Sequence, residues 1–439
     1  MSKTNYLSLA ENLVKQGKKQ GAQVKVSINN GKSFELGIRN GEVEELQESN
    51  SLNLSLLVNV DNRTASASTS DLSEAALEQL LKNALERAKH SSVDESAIFP
   101  EFEKLDIDIE KLNLYSSDIN TVSPEERIKL AIELERLCLK DKRISLSAGS
   151  GYSTYEGEYY LALSNGFSGS YKSSNCSIGV YLQSGSDSSA TQEGWYDSAR
   201  SPLNLMSIEE IAKIAIERAT RLQNAKKIPT QTVPIIVDRY IAPAITGFLL
   251  ECLVGRNIYM QESVFAGKLN EKIANSNITL FDNPLIVGGP ASRPFDSEGV
   301  PARKNMIIEK GILKNYLLNT YSAKKLGLKN NGFASGTSNV ILENGEHTEE
   351  DLIKSVDKGL LLLKTLGQGT TTTSGDFSKG AYGIWIENGE LSYPVSEITI
   401  SGNIVNMLKD IEMLADNADE KRSQQIPTFK FAEMTVSGE

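Results

Sequence analysis

The first 225 residues run through the same order of patterns twice, helix then strands then helix, and this limits the fold more than any other feature. Apolar residues recur at three- and four-residue spacing over roughly Asn5–Gln20, which predicts a helix. "AQVKVSINNGKSFELGIRNGEVEELQES", "NLSLLVNV" and "RTASASTS" then alternate as strands. "DLSEAALEQLLKNALERAKH" returns to the helical period, with Asp71 or Ser73 as its cap. The order restarts at "SPEERIKLAIELERLCLKD", where Ser123 is the N-cap and Pro124 takes the first helical position. Residues 144–199 read as four or five strands, and "SIEEIAKIAIERATRLQNAK" closes the second copy. A chain that repeats its own order of elements predicts a duplicated helix–sheet–helix unit of the α+β class. Asn30-Gly31 and Asn40-Gly41 suit tight turns that need positive φ. Within the Ser/Gly/Tyr-rich stretch 145–190, Cys176, Ile178, Val180 and Leu182 alternate as one face of a half-buried strand. Cys138 and Cys176 fall on apolar faces and read as core residues.

"AKKIPTQTVP", basic, polar and twice interrupted by proline, marks a boundary. It separates an N-terminal α+β domain, 1–225, from a C-terminal domain, 232–439. The second opens with a buried strand, "PIIVDRY", and a helix, "IAPAITGFLLECLVGRN". It continues as strands with hairpin signals at Lys310-Gly311, Asn344-Gly345 and Asn388-Gly389. Helices at "NTYSAKKLG" and "TEEDLIKSVDKG" interrupt them. A β-rich, barrel-like domain is expected.

Composition removes several functions. The chain of 439 residues carries a net charge of −11, the wrong sign for displacing counterions from nucleic acid or for docking on an anionic membrane. No apolar run approaches the ~18 residues of a membrane span, and the first twenty residues have no signal-peptide h-region. Three cysteines make no disulfide framework, so a cytoplasmic protein with reduced thiols is expected. The two histidines, His90 and His347, sit at a helix end and in an acidic turn and read as surface residues. A histidine-based metal site on this chain is therefore not expected.

Three stretches could carry chemistry. "GFLLECLVGR", 247–256, places Glu251, Cys252 and Arg256 among apolar neighbours, where polar groups need partners or a function. Adjacent helix residues point about 100° apart, and a guanidinium has no lone pair for a metal. The alternative is an interior helix in which Glu251 pairs with Arg256 or Arg239. "RPFDSEGVPARKN" sets Asp296 two residues from Glu298, beside Gly299. Paired carboxylates can do acid–base work, and a charged turn explains them equally. "GQGTTTTSGDFSKGAYGIWIENGE", 367–390, reads as a long polar loop holding Gly375 and Asp376, followed by a hairpin. It fits no phosphate-binding pattern. Gly380 and Gly383 would let a peptide approach as an added strand.

"PFDSEGVPARKNMIIEKGILKNYLLNTYSAKKLGL" and "GQGTTTTSGDFSKGAYGIWIENGELSYPVSEITISGN" together resemble the TldD/PmbA family, on its PmbA (TldE) side. The similarity is dense from about Val233 onward. It implies an α+β N-terminal domain and a β-rich C-terminal one. It also implies a partnership: TldD-type members are zinc peptidases with H-E-x-x-x-H on a helix and a thiolate ligand from near the C-terminus, and PmbA-type members pair with them. The complex trims or degrades unfolded peptides, including leader peptides, and the family has also been named a modulator of DNA gyrase. By this resemblance Glu251 stands at the first histidine, Cys252 at the glutamate and Arg256 at the second histidine. Positions five apart lie about 140° apart on an ideal helix, so a working motif needs a distortion, for which Gly255 is placed. The stretch corresponding to the thiolate, "DNADEKRSQQIPTF", has no cysteine. The resemblance implies a non-catalytic subunit with no metal or cofactor of its own, zinc residing on a TldD-like partner. Asp296, Glu298, Gly299, Gly375, Asp376, Gly380 and Gly383 are then candidates for a cleft that holds unfolded peptide. Two alternatives stand beside it: a self-sufficient peptidase using Asp296, Glu298 and Cys252, and a non-enzymatic modulator of gyrase acting on protein. The isolated chain could also form a symmetric homodimer.

Overall fold

The computed structural model describes residues 5–186 and 190–439; residues 187–189, at the end of the Ser/Gly/Tyr-rich stretch, lie outside it. The first copy comprises α1 (Tyr6–Lys19), β1 (Gln23–Arg39), β2 (Glu42–Val60), β3 (Arg63–Thr69) and α2 (Glu74–Lys89). The second comprises α3 (Pro124–Leu139), β4 (Ile144–Leu163), β5 (Ser168–Ser184), β6 (Thr191–Ala199) and α4 (Ile208–Thr220). Local chemistry sets the helix starts. Asn5 accepts from the Ser8 amide ahead of α1, and Ser123 and Ser207 form capping boxes with Glu126 and Glu210. Before α2 it is Asp71 that accepts from the Ser73 amide, at 2.9 Å, while Ser73 at the cap position makes no side-chain bond.

Both copies contribute to one antiparallel sheet, ordered β3-β2-β1-β4-β5-β6. Its centre is the β1–β4 pair, running from Lys25–Leu163 to Ile38–Ser150. The copies therefore meet at their first strands and share no separating seam. One apolar core lies under α1 and α2, with Leu13, Leu81, Val26 and Leu56. A second lies under α3 and α4, with Leu134, Ile211, Ile178 and Leu182. Each such aliphatic side chain contributes about 1.5–3 kcal/mol by leaving water.

Asn40-Gly41 makes the expected turn, with φ of 55° and 77°. Asn30-Gly31 does not. Both residues stay inside β1, opposite Leu52 and Ser51 on β2 and opposite Glu158 and Gly157 on β4. With partners on both sides the strand runs on. Gly31 instead makes room for the Tyr155 ring, which a Cβ there would meet at 3.2 Å.

The chain then builds β7 (Gln231–Val237), α5 (Ala242–Cys252), α6 (Gly255–Tyr259), β8 (Leu280–Asp282), β9 (Asn305–Glu309), β10 (Ile312–Leu313) and α7 (Thr320–Leu326). It continues with β11 (Val340–Leu342), α8 (Glu349–Lys354), β12 (Lys358–Leu366), β13 (Thr370–Thr371), β14 (Asp376–Glu387) and β15 (Glu390–Asn403). It ends with α9 (Ile404–Met407), β16 (Ile411–Leu414), β17 (Gln424–Gln425) and β18 (Phe429–Ser437). Strands β12, β7, β18, β15 and β14 close into a barrel, because β14 returns to pair with β12. α5 shares the barrel's core, with Phe248 facing Phe377 at 6.3 Å. A smaller sheet, β10-β9-β8-β11-β17, lies beside it.

Lys310-Gly311 and Asn388-Gly389 form turns with positive φ. Asn344-Gly345 does not, because β11 pairs with β8 and β17 and has no hairpin partner after it. Gly345 lies against the Leu414 carbonyl in a connecting loop. The polar loop expected at 367–380 is half strand, since β13 and β14 form a tight hairpin and only 367–369 and 372–375 lie between strands; the hairpin expected after it is formed by β14 and β15. Among the described residues no helix is long and apolar enough to cross a membrane.

Candidate functional site

α5 is apolar on nearly every side and stops at Cys252. Val254 is extended, with φ −60° and ψ 129°, and α6 begins at Gly255. The distortion thus comes beside Gly255, as a complete break. Gly255 is required because α7 presses on it: a Cβ would lie 2.4 Å from Ser322 Oγ. Its amide donates to the Leu317 carbonyl at 2.9 Å.

The break separates the three polar residues. Glu251 is exposed on α5, and the Asn257 side chain donates to its backbone carbonyl at 2.8 Å. Arg256, on α6, pairs with Glu262 at 2.8 Å. Arg239 donates to the Asn417 carbonyl at 2.8 Å. The expected pairing of Glu251 with Arg256 or Arg239 is therefore not made, because the second helix and the 417 loop each claim an arginine. Cys252 is fully buried, and that burial pushes its thiol up to about 12. Zinc binding needs thiolate, neutral imidazole or carboxylate donors that converge. A protonated buried thiol, a guanidinium and a solvent-facing carboxylate on two helices do not fit zinc. Among the described residues no three His, Cys, Asp or Glu side chains are grouped to hold a metal. His90 and His347 are both exposed.

Asp296 and Glu298 act on backbone amides. Asp296 is 2% exposed; its Oδ1 accepts from the Glu298 and Val300 amides and its Oδ2 from that of Ala334, at 2.9–3.1 Å. Burial raises its carboxyl above the ordinary value, against the pull of those amides. Glu298 Oε2 accepts from the Thr320 amide and hydroxyl and from Asn330, and so caps α7. Gly299, with φ of 76°, lies under the Phe167 ring from the β4–β5 hairpin. This turn packs against the six-stranded sheet through an aromatic cluster in which Phe167 and Phe295 stand 4.9 Å apart.

Gly375 and Asp376 end the β13–β14 turn. Asp376 is exposed and accepts from Ser374 and Asn403, and these bonds, Ser374's first, hold its carboxyl below the usual range. Gly380 and Gly383 lie inside β14, between β12 and β15. Both edges of the strand are taken there, so neither glycine offers a free edge to a peptide. Gly383 is needed for barrel packing, since a Cβ would lie 2.2 Å from the Leu361 carbonyl. Two of the chosen stretches nevertheless connect to the end of α5. Glu298 reaches the α5–α6 break through α7, and the β13–β14 turn reaches it through the Val264 amide, which donates to Thr372 at 2.9 Å.

Sequence reasoning missed a cleft between β6 and residues 419–426. It has a volume of about 410 Å³, with Trp195, Tyr196, Tyr240, Arg218, Arg239 and Arg422 in its wall. A second cavity of about 460 Å³ adjoins it through Ser198, Pro290 and Lys421. Arg422 lies over Trp195 and Tyr196 at 4.9 and 4.4 Å, and Arg218 over Trp195 and Tyr240 at 5.1 and 5.2 Å. Such cation–π contacts each contribute about 0.5–2 kcal/mol. "EGWYDS" was the available signal, since its two adjacent aromatics must face opposite sides of a strand.

Three domain models match the chain: PmbA/TldA metallopeptidase domain 1 at residues 24–88, the central domain at 117–223 and the C-terminal domain at 230–438. Metalloprotease PmbA of Escherichia coli is 32% identical over 424 residues, covering 96% of this chain and 93% of its own. The crystal structure of a candidate modulator of DNA gyrase from Bacteroides thetaiotaomicron superposes with a TM-score of 0.91 at 30% identity, over 100% of both chains. TldE from Thermococcus kodakarensis has the same fold, with a TM-score of 0.81 at 24% identity, over 98% of this chain and 100% of its own.

Proposed function

This chain belongs to the PmbA/TldD metallopeptidase family, and we propose that it acts in the cytoplasm as the PmbA/TldE-type subunit of a heteromeric zinc peptidase that processes unfolded peptides. In this reading a TldD-like partner holds the zinc and the general base. This chain completes the chamber and holds the substrate. One observation carries the reading: the helix end corresponding to the family's metal motif is broken in two, its thiol buried and its guanidinium committed to Glu262. A metal held by the partner would polarise the scissile carbonyl and activate a water. This chain's own residues would bind and orient the peptide.

The test is hydrolysis of an unfolded peptide by this chain, by its TldD-like partner and by the two together. The pair is expected to exceed the partner alone at least tenfold, and this chain alone to do nothing. Equal activity of partner and pair would sink the reading. Chelator-sensitive hydrolysis by this chain alone would sink it equally, in favour of a self-sufficient enzyme.

A further inference from the structure

The cleft between β6 and residues 419–426 is locally cationic on a chain whose net charge is −11. Its wall holds Arg218, Arg239, Lys421 and Arg422 against Asp419. Three of these cations already meet carboxylates. Arg218 pairs with Glu193, Lys421 with Asp197 at 2.9 Å, and Arg422 with Asp419 at 3.4 Å. Arg239 meets none within ion-pair distance among the described residues. Its Nη1 donates to the Asn417 carbonyl, and its guanidinium lies 4.8 Å from the Tyr240 ring centre.

The adjoining cavity repeats the arrangement. Arg200 lies in its wall and donates to the carbonyls of Ser174, Gly289 and Pro290, again with no carboxylate partner among the described residues. A guanidinium has five donors in a fixed fork, and neither arginine uses all of its own. Half-buried cations without counter-charges cost stability and draw anions. In the wall of the first cavity, beside Arg239, Trp195 and Tyr240 stand edge to face at 4.7 Å, a surface suited to methylene stems. Each cavity falls in the usual size range of a binding pocket, and the two share Ser198, Pro290 and Lys421 in their walls.

We propose that this double cleft binds an acidic stretch of peptide, with Arg239 and Arg200 each receiving a carboxylate. Glu420 in the second cavity and Asp419 in the first disfavour a dense polyanion such as nucleic acid. The inference rests on the peptide-processing reading for the kind of ligand, but its test needs this chain alone. A loss of synergy with the partner and a loss of binding here are therefore separate failures.

The fluorescence of Trp195 reports the site, because the other tryptophan, Trp385, is 1% exposed in the barrel core and supplies a constant background. Titration with acetyl-tetraglutamate amide is expected to give a saturable change that weakens as salt rises. Acetyl-tetraglutamine amide is expected to give none. Arg239→Gln should weaken the acidic peptide at least tenfold. Arg239→Lys keeps the charge, remains testable if the glutamine variant fails to fold, and should bind within tenfold of the parent. An equal response to the glutamine peptide would overturn the proposal. So would unchanged affinity in both Arg239→Gln and Arg200→Gln, or tighter saturation by inorganic phosphate or a short oligonucleotide.

Discussion

The 296–299 turn and the end of α5 carry similar side chains and use them in opposite ways. In the turn, both oxygens of Asp296 and one of Glu298 are committed to backbone amides, and the residues around them are buried. At the end of α5, Glu251 faces solvent and Arg256 holds one exposed partner. A carboxylate that organises amides is part of the architecture. One that faces solvent beside a broken helix is replaceable. A polar residue in an apolar stretch is thus judged by what its atoms touch, not by the motif position that it occupies.

Substitutions test this contrast. Asp296→Ala leaves three amides near the core without an acceptor and should cost about 3 kcal/mol, read as a lower urea midpoint. A loss below about 1 kcal/mol would place the turn with the replaceable class. Gly299→Ala forces a side chain into the left-handed region and against Phe167, and should cost about 2 kcal/mol by the same measurement. Arg256→Ala removes an exposed ion pair and should change stability by less than about 0.5 kcal/mol. A larger effect would show that the helix break depends on that pair. The smallest expected effect is none. Burial holds the thiols of Cys138, Cys176 and Cys252 at about 12, 11 and 12, so a thiol reagent at pH 8 should label none in the native chain and all three after denaturation. Native labelling of Cys252 would reopen the end of α5 as a reactive site.

The duplicated order of elements, the helix caps and the hairpins at Asn40-Gly41, Lys310-Gly311 and Asn388-Gly389 were legible because each depends on neighbours in sequence. Asn30-Gly31 has the same chemistry as Asn40-Gly41 and the opposite outcome, because β2 and β4 hold it in a ladder. The barrel-like C-terminal domain was expected from its strands and hairpin signals, but that β12 and β14 are the pair that closes it was not legible, since no local pattern says which earlier partner a strand will return to. The cleft was missed for the same reason: Trp195, Arg239 and Arg422 come from three distant segments. At the end of α5 only Cys252 lies buried in the apolar helix; Glu251 faces solvent and Arg256 lies on α6. Their partners were not legible, because a helix break moves a side chain away from where helical spacing puts it.

The central β1–β4 ladder has a consequence for how the chain is made. During synthesis the first copy leaves the ribosome with β1 paired to β2 alone, and its other edge waits for a strand not yet translated. An exposed strand edge templates pairing with any other chain. The nascent protein therefore passes through an interval of self-association risk that ends only when β4 arrives, and slowed translation between α2 and β4 would lengthen it.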